Sequence, residues 1–293
     1  MELQQLQYFQ MVAYYEHITR AAEQLNISQP ALSSTITRLE SELGTQLFDR
    51  SGRSVVLNRS GKLFLEHVNM VLRDLDNARG ELRAVQDEQD NYLRLAVSTS
   101  QFFNDLPSFL RAHPAFRWKQ TIADNPEAAR MLRFNQVDLA VISPGIYGDE
   151  FVTTPLIRER FMLCVNKAHP LAKRESVRLA DVLDECFILL PKGWSFREQT
   201  DQLFETAGSC PTDVIECDHS LRRDLLEANV GVSIASESSL RRKLYNDDVR
   251  LIALEDVRQT REIALVRLKG RHQNTAMRQF TEFMKSSFGA VTL

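Results

Sequence analysis

The sequence is poor in cysteine, glycine and proline, and it has no strong excess of charge of either sign. Four cysteines, 11 glycines and 9 prolines occur among 293 residues. This composition excludes a disulfide-rich secreted mini-protein and a fibrous or low-complexity chain. With 43% hydrophobic residues, the chain has enough apolar material for about two domains, each with its own core.

The cysteines lack the spacing of a zinc finger and that of a C-x-x-C redox motif. We therefore interpret them as buried thiols in a reducing compartment and expect no metal or cofactor. A redox pair between Cys210 and Cys217, which are close in the sequence, is the alternative. The other two cysteines are Cys164 and Cys186.

Long hydrophobic runs are also absent. No window approaches the run of about 18 apolar residues that spans a membrane, and the first ten residues, MELQQLQYFQ, lack the basic start and apolar stretch of a signal peptide. We expect a cytoplasmic protein with no membrane partner. Because the formal net charge is only −3, any nucleic-acid site has to be local rather than a product of overall charge.

Apolar residues at helical spacing predict two short helices at the start of the chain. The first covers residues 3 to 14. The second begins at Thr19, which we expect to be its N-cap, and ends at Asn26-Ile27.

A third helix is predicted after Ser28, an expected N-cap, with Pro30 in the first turn and Gly44 as the C-cap. Its apolar face consists of Leu32, Ile36, Leu39 and Leu43. Its other faces carry Gln29, Ser33, Ser34, Thr37 and Arg38. Two short helices joined by a four-residue turn predict a helix-turn-helix, whose second helix enters the DNA major groove. From the pattern alone, a three-helix bundle with a solvated polar face is the alternative.

Three runs of residues in the first fifty positions form a recognisable pattern. They are Leu3-x-x-Leu6-x-Tyr8-Phe9-x-x-Val12-Ala13, Thr19-Arg20-Ala21-Ala22-x-x-Leu25-x-Ile27-Ser28-Gln29-Pro30-Ala31-Leu32-Ser33 and Leu39-Glu40-x-x-Leu43-Gly44-x-x-Leu47-Phe48-x-Arg50. Together they span some fifty contiguous residues, far more than a lone motif. In these runs the chain resembles the N-terminal domain of LysR-type transcriptional regulators. It departs from the family pattern at His17, where Ser is usual, and at Ile18, which is often Phe.

Residues 51 to 58 predict a turn and a short β ribbon. In the family this ribbon is the wing beside the DNA, so the resemblance implies that Arg50 and Arg53 meet phosphates or the minor groove. A solvated surface charge is the alternative for each arginine. The candidate DNA-binding residues are Arg20, Ser28, Gln29, Pro30, Ala31, Ser33, Ser34, Thr37, Arg38, Arg50 and Arg53.

Residues 1 to 60 carry five arginines and six acidic residues, so a single domain should bind DNA weakly. We infer that two or more copies act on one duplex. Residues 61 to 89 repeat apolar residues at near-heptad steps, and a helix of this length would span about 45 Å. We expect this helix to pair with a second copy, as in the family's dimerising linker helix, and packing on its own chain is the alternative. The stripe is Leu65, Val68, Leu72, Leu75, Leu82 and Val85.

From Tyr92 onward, strand-like and helix-like segments alternate, which favours a parallel α/β sheet. The first set predicts strands at 93–97, 118–122 and 137–142 and helices at 102–113 and 127–134. The second set, which predicts another lobe, comprises 187–190, 196–206, 214–216, 221–228 and 231–235. Strands at 161–166 and 262–268 are the expected crossings between lobes, and 275–288 is a final helix. The arrangement resembles the family's effector domain, which is similar in fold to periplasmic solute-binding proteins.

The expected fold is α/β: a mainly α N-terminal winged helix-turn-helix, a long linker helix, and a C-terminal two-lobed α/β effector domain of periplasmic-binding-protein type. We place the DNA-binding domain at 1–60, the linker and dimerisation helix at 61–90, and the effector-binding domain at 91–293. Within the last, lobe I is expected at 91–163 and 267–293 and lobe II at 164–266.

Ligands of open α/β sheets bind at the carboxyl ends of strands, where helix N-termini present free N–H groups to anions. The residues after the predicted strands include hydroxyls, an amide, a tryptophan and the cations Lys192 and Arg197, a set that suits a small organic acid. Helix capping is the alternative for residues 98–100, and core packing is the alternative for Trp194. Asp124 would repel an anion unless it turns outward, pairs with Arg197 or binds an amino group. The candidate effector-binding residues are Ser98, Thr99, Ser100, Asn125, Ser143, Trp194, Ser195, Phe196 and Arg197.

These features predict a LysR-type DNA-binding regulator whose promoter binding is modulated by a small-molecule effector bound between two lobes. Its expected partners are double-stranded operator DNA, the effector, RNA polymerase and itself, as a dimer through the linker helix and a tetramer by further pairing. A small-molecule binding protein with a degenerate helix-turn-helix is the alternative. The sequence has no G-x-S-x-G, G-x-G-x-x-G, Walker lysine loop or H-E-x-x-H motif, so we do not expect an enzyme.

The predicted helix-turn-helix can be tested with Ser33→Glu. A carboxylate placed against the groove is repelled by phosphates, so the variant should lose operator binding while its fold stays intact. Footprinting on DNA upstream of the gene, with circular dichroism as the folding check, measures both effects. Ser108→Glu adds the same charge far along the sequence and should bind like the wild type. Retained binding by Ser33→Glu would refute the placement of this helix.

Overall fold

The computed structural model describes residues 1–51, 54–85, 91–99, 102–103, 105–240 and 244–289, without the side chains of 50–51, 54 and 83–85. The chain divides into two compact units. The first contains residues 1–90 with 130–136 and 270–274, and the second contains residues 91–129, 137–269 and 275–293. Within the described ranges, no helix is long and apolar enough to cross a membrane.

Three helices open the first unit: α1 at Leu3–Tyr15, α2 at Ile18–Leu25 and α3 at Gln29–Leu43. Ser28 caps α3 as predicted, with its Oγ accepting the Ala31 N–H at 3.4 Å, and Gly44 ends the helix at φ 67°. The prediction that Thr19 caps α2 is wrong. The ring Nδ1 of His17 accepts the Arg20 N–H at 3.4 Å, so the helix begins one residue earlier and Thr19 lies inside its first turn.

A buried carboxylate joins α3 to the β ribbon that follows it. Glu40 is 8% exposed, and its Oε1 accepts the N–H groups of Leu47 at 2.8 Å and Phe48 at 3.3 Å. The ribbon consists of β1 at Phe48–Ser51 and antiparallel β2 at Ser54–Leu57. The helix-turn-helix with a following wing is thus present.

The long helix α4 runs from Arg59 to Val85 and begins earlier than predicted. The side-chain oxygen of Asn58 accepts the Gly61 N–H at 2.9 Å, which fixes the first turn. Gly61 is needed there because a Cβ would lie 2.0 Å from the carbonyl oxygen of Leu47.

The apolar stripe predicted on α4 is covered over part of its length. Val68 and Leu72 are buried in the chain, whereas Leu75, at 38%, and Leu82, at 64%, are exposed. Leu65 is half-buried, and the side chain of Val85 lies outside the described part. Val68 and Leu72 thus pack on their own chain, which was the alternative, and pairing of the helix with a second copy stays a prediction. The exposed apolar residues of α4 are Leu63, Met70, Val71, Leu75 and Leu82.

The second unit is an α/β structure built on a long sheet. Its strands are β3 Tyr92–Val97, β4 Arg117–Ile122, β5 Leu139–Ile142, β6 Phe151–Asn166, β7 Ser176–Val177, β8 Phe187–Leu189, β9 Val214–Glu216, β10 Ser233–Ser236, β11 Val249–Leu254 and β12 Thr260–Leu268. Its helices are α5 Leu106–Ala112, α6 Asn125–Arg133, α7 Ser195–Thr206, α8 His219–Glu227 and α9 Thr275–Gly289. The order in the long sheet is β4-β3-β5-β12-β6-β11-β7, with β10 also pairing with β6. Strands β3, β4 and β5 are parallel, and β12 is antiparallel to β5 and β6.

Strand β6 belongs to both halves of this unit. Residues 151–160 pair with β12, and residues 161–166 pair with β10 and β11. One apolar core contains β3, β5, α5 and α9, and a second contains β8, α7 and the end of β6. The two-lobed α/β architecture predicted from the sequence is confirmed.

Most predicted segments match the structure to within about two residues at each end, and two differ more. The helix predicted at 102–113 is α5, which begins at Leu106. Pro107 explains this, since proline lacks an N–H group and is accommodated only in the first turn. The crossing strand predicted at 161–166 is the last part of β6, whose first ten residues include Pro155 and several charged side chains that mask the strand pattern.

Replacing Glu40 by Ala tests the contact that holds the wing. The variant leaves two buried N–H groups without an acceptor, which should destabilise the first unit by about 3 kcal/mol. Urea unfolding measures this cost, and hydrogen exchange should locate it at residues 47–48. Glu23→Ala, at an exposed position of α2, should change stability by less than about 0.5 kcal/mol. Equal stabilities of the two variants would show that the Glu40 contact contributes nothing.

Candidate functional site

A pocket of about 440 Å³, open space at its mouth included, lies in the second unit. Six of the predicted effector residues line it: Ser98, Thr99, Ser143, Trp194, Ser195 and Phe196. Seven further residues complete the wall: His219, Arg222, Ala235, Ser236, Ser239, Leu244 and Arg261.

The topology brings these side chains together. Ser98 and Thr99 follow the carboxyl end of β3, and the Ser98 N–H donates to the Val141 carbonyl at 3.2 Å. Ser143 follows β5, the neighbouring parallel strand. Ser195 begins α7. The predicted placement of polar residues at strand ends thus produces a common pocket wall.

Two of the predicted effector residues, Asn125 and Arg197, are not part of this wall, and a third cannot be placed. Ser100 lies outside the described residues. The Asn125 side chain donates to the Pro144 carbonyl at 2.7 Å. Arg197 is 7% exposed, and its guanidinium pairs with Asp201 at 2.7 Å and Glu216 at 2.8 Å. These two acids engage the charge of Arg197 away from the pocket.

Asp124, expected to turn outward, pair with Arg197 or bind an amino group, is exposed. Its Oδ1 accepts the Glu127 N–H at 2.8 Å, so it caps the first turn of α6. It leaves no carboxylate in the pocket wall.

Arg222 lies on α8 one turn after His219 and was not among the predicted effector residues. Arg222 is 5% exposed. Its guanidinium donates to the hydroxyl of Ser233 at 3.4 Å, the carbonyl of Ile234 at 3.1 Å and the hydroxyl of Tyr245 at 3.1 Å. Its Nε has no hydrogen-bond partner among the described residues. None of these acceptors is an acid.

Three titratable groups close to Arg222, namely Tyr245, Cys164 and His219, are neutral at physiological pH. Burial raises the pKa of the Tyr245 hydroxyl and raises the pKa of the Cys164 thiol to about 12. Burial, followed by the positive charges of Arg222 and Arg261, lowers the pKa of His219 to about 3. The charge of Arg222 therefore has no counter-charge among these neighbours, which is a costly arrangement for a buried ion.

Arg261 is the second cation of the pocket, and it does have an acidic partner. It is 8% exposed, its Nη1 lies 3.7 Å from Glu159 Oε1, and its Nε donates to Ser143 Oγ at 3.2 Å. The Phe196 ring lies 4.7 Å from the Arg261 guanidinium and 5.6 Å from that of Arg222. Two guanidinium groups thus share one aromatic ring.

Other residues of the wall are polar and uncharged. His219 Nε2 lies 3.4 Å from Thr99 Oγ1, and the Trp194 ring packs on the imidazole at 5.2 Å between centroids. His219 Nδ1 has no partner within the described chain. One excess positive charge, unsatisfied polar atoms and aromatic rings together suit an anion with an apolar body.

The prediction of buried thiols is correct for Cys164, whereas Cys186 and Cys217 are half-buried and Cys210 is exposed. Burial raises the pKa of the Cys186 and Cys217 thiols. Since thiolates are the reactive form, Cys217 is poorly suited to the redox pair considered above. Within the described ranges, no group of three or more metal-ligating side chains occurs.

The predicted DNA-binding residues of α3 form an exposed surface. Ser28, Gln29, Pro30, Ala31, Ser34, Thr37 and Arg38 are exposed, Ser33 is half-buried, and Arg20 is exposed on α2. Leu32, Ile36 and Leu39 point into the core. Arg53 and the side chain of Arg50 lie outside the described part of the chain.

Comparison with protein families identifies both units. The model for the bacterial regulatory helix-turn-helix protein, lysR family, matches residues 3–62. The model for the LysR substrate binding domain matches residues 86–289. The chain belongs to the LysR family. It is a DNA-binding transcriptional regulator with an effector-binding domain, as the sequence predicted.

Individual proteins of known sequence or structure are similar to this chain over nearly its whole length. An uncharacterized HTH-type transcriptional regulator, YybE of Bacillus subtilis (strain 168), is 30% identical over 98% of this chain and 99% of its own. The transcriptional dual regulator GltC of the same organism is 30% identical over 98% of each chain. A full-length OxyR structure from Pseudomonas aeruginosa has a TM-score of 0.70 at 23% identity and covers 98% of this chain and 94% of its own. YybE and GltC are thus named as transcriptional regulators, and the OxyR structure shows that the likeness extends to the fold.

The lowered pKa of His219 predicts an acid-sensitive stability. Between the ordinary pKa of 6.5 and the folded value of about 3, the unfolded chain binds a proton that the folded chain excludes. The stabilisation is therefore complete above pH 6.5 and is lost as the pH falls, by about 1 kcal/mol per unit. His219→Gln should flatten the fall in melting temperature between pH 7 and 5. His67→Gln, at an exposed site of α4, should reproduce the wild-type slope, and an unchanged slope in His219→Gln would contradict the assignment.

Proposed function

We propose that this LysR-family regulator binds a small organic acid in the pocket and that the acid changes its binding to promoter DNA. The observation that carries the proposal is Arg222, a buried guanidinium whose hydrogen-bond acceptors are all uncharged. A ligand carboxylate would supply the missing counter-charge and accept from donors that are already in place.

The rest of the wall supports an acid with an apolar body. Phe196 and Trp194 offer aromatic surface, and Thr99 with neutral His219 offers hydrogen bonds that add no competing charge. Asp124, the acid that could have opposed an anion, caps α6 instead.

The position of the pocket accounts for regulation. Ser98, Thr99 and Ser143 follow strands of one lobe, whereas Trp194, which precedes α7, and Arg222, on α8, belong to the other. A ligand that contacts both sets favours the arrangement in which they are close, and it can act only through that difference in affinity.

For DNA recognition, we propose that the exposed polar face of α3 contacts base edges, with the residues of the wing on phosphates.

The weakly acidic first domain requires several copies on one duplex. We place a self-association surface on the exposed stripe of α4, with further pairing to a tetramer and contact with RNA polymerase at the promoter. The site of action is the cytoplasm.

Arg222→Met tests the proposal against a matched control. Removing the guanidinium should weaken the binding of hexanoate and 3-phenylpropanoate at least tenfold, because a charge-assisted hydrogen bond contributes about 1.5–3 kcal/mol. Arg223 is the next residue on α8, is exposed and pairs with Asp224, so Arg223→Met should bind these acids like the wild type. Isothermal titration gives the affinities.

The same variants should separate effector response from DNA binding. Footprints of Arg222→Met without acid should match those of the wild type, and only the wild type and Arg223→Met should change their footprint when acid is added. Acid binding that is identical in all three proteins would refute the role of Arg222. If the folded wild-type protein gave no footprint either with or without acid, the result would favour a binding protein with a degenerate helix-turn-helix.

A further inference from the structure

A second pocket of about 210 Å³ adjoins the first. The two share Ser236, Leu244 and Arg261 in their walls. The smaller pocket adds Glu159 on β6 and Ser238, which follows β10. The shared residues make the second pocket an extension of the first.

Two buried oxygen atoms in this extension lack hydrogen-bond partners within the described residues. Glu159 is 2% exposed, and Ser238 is 1% exposed. Glu159 Oε2 accepts the Ser238 N–H at 3.1 Å, whereas Glu159 Oε1 and the Ser238 hydroxyl have no hydrogen bond to any residue that the structure describes. The hydrogen bond from the Ser238 N–H to the Glu159 carboxylate holds the two residues together. The two unsatisfied oxygen atoms therefore lie in the same small space. Buried polar atoms of this kind are uncommon without a bound group.

We propose that the extension binds a hydroxyl group of the effector, so that the effector is a hydroxycarboxylic acid. The inference rests on the proposed function, in which Arg222 holds the carboxylate. A hydroxyl can donate to Glu159 Oε1 and accept from the Ser238 hydroxyl, which satisfies both atoms at once.

The charges of the two pockets favour a hydroxyl over an ammonium group. Arg222 and Arg261 supply two positive charges, and Glu159 supplies one negative charge that already faces Arg261 at 3.7 Å. One ligand carboxylate therefore balances the described side chains. An ammonium group beside Glu159 would also lie beside Arg261 and would be repelled, whereas a neutral hydroxyl would not.

Matched pairs of acids test the proposal. We would measure the affinities of hexanoate, 6-hydroxyhexanoate and 6-aminohexanoate, and of 3-phenylpropanoate and 3-(4-hydroxyphenyl)propanoate, for the full-length protein by titration calorimetry. The hydroxylated member of at least one pair should bind about tenfold more tightly than its parent, since the parent leaves a buried carboxylate oxygen and a hydroxyl unsatisfied. The amino acid should bind more weakly than the hydroxy acid.

Variants of the two residues test whether the preference for the hydroxylated acid arises in the extension. Glu159→Gln and Ser238→Ala should each reduce the ratio of hydroxy-acid to parent affinity by about fivefold or more while the parent acid still binds. Glu237→Gln is the control, because Glu237 precedes Ser238 but pairs with Arg160 and lines neither pocket. Its ratio should equal that of the wild type. A loss of fold would weaken both members of a pair alike and leave the ratio unchanged.

The outcomes distinguish this inference from the function on which it rests. Equal affinities within every pair, in a protein that binds the parents through Arg222, overturn the hydroxyl subsite and leave the proposed function intact; a resident water in the extension would give that result. Tighter binding of 6-aminohexanoate than of 6-hydroxyhexanoate also overturns it. Failure of every acid to bind overturns both proposals.

Discussion

The buried charge of Arg222 is the constraint on which the effector-binding domain depends. A guanidinium that is removed from water must keep its donors satisfied, and here they meet a hydroxyl, a carbonyl and a phenol rather than a carboxylate. Burial, together with this charge and that of Arg261, lowers the pKa of His219 and keeps it in its neutral form. The domain thus maintains a local excess of positive charge, and relief of this excess would contribute to the binding of the proposed acid.

Strand β6 joins the two halves of the domain, both of which contribute residues to the pocket around Arg222. Its first part pairs with β12, which carries Arg261, and its last part pairs with β10, which leads to the serines of the second pocket. Glu159 lies at the change between these two pairings. A group that binds between Arg222 and Glu159 therefore contacts a side chain of α8 and a side chain of the strand that joins the two halves. Such a contact favours one arrangement of the lobes if the affinity of the ligand differs between arrangements.

Local chemistry explains which features the sequence predicted. Ser28 and Gly44 act at helix ends through their own side chain or backbone freedom, and the serines after β3 and β5 follow from the rule that parallel strands end at one edge. The role of Arg222 could not be predicted in this way. An arginine one turn into an amphipathic helix resembles a solvated charge, and its burial depends on Ser233 and Tyr245, which lie 11 and 23 residues away. Arg197 is the opposite case. It was predicted to face the ligand, but Asp201 and Glu216, which lie 4 and 19 residues away, pair with its guanidinium.

The linker helix shows a further limit of periodicity. Val68 and Leu72 stabilise the first unit, whereas Leu75 and Leu82 leave apolar surface in water, although all four fit one near-heptad pattern. Spacing places these four residues on one side of the helix, but only the neighbouring elements decide over what length that side is covered. A domain with more acidic than basic residues in its first sixty cannot obtain DNA affinity from charge alone. In the proposed dimer, pairing through Leu75 and Leu82 would bring a second domain to the same duplex, where the phosphate contacts of the two domains would act together.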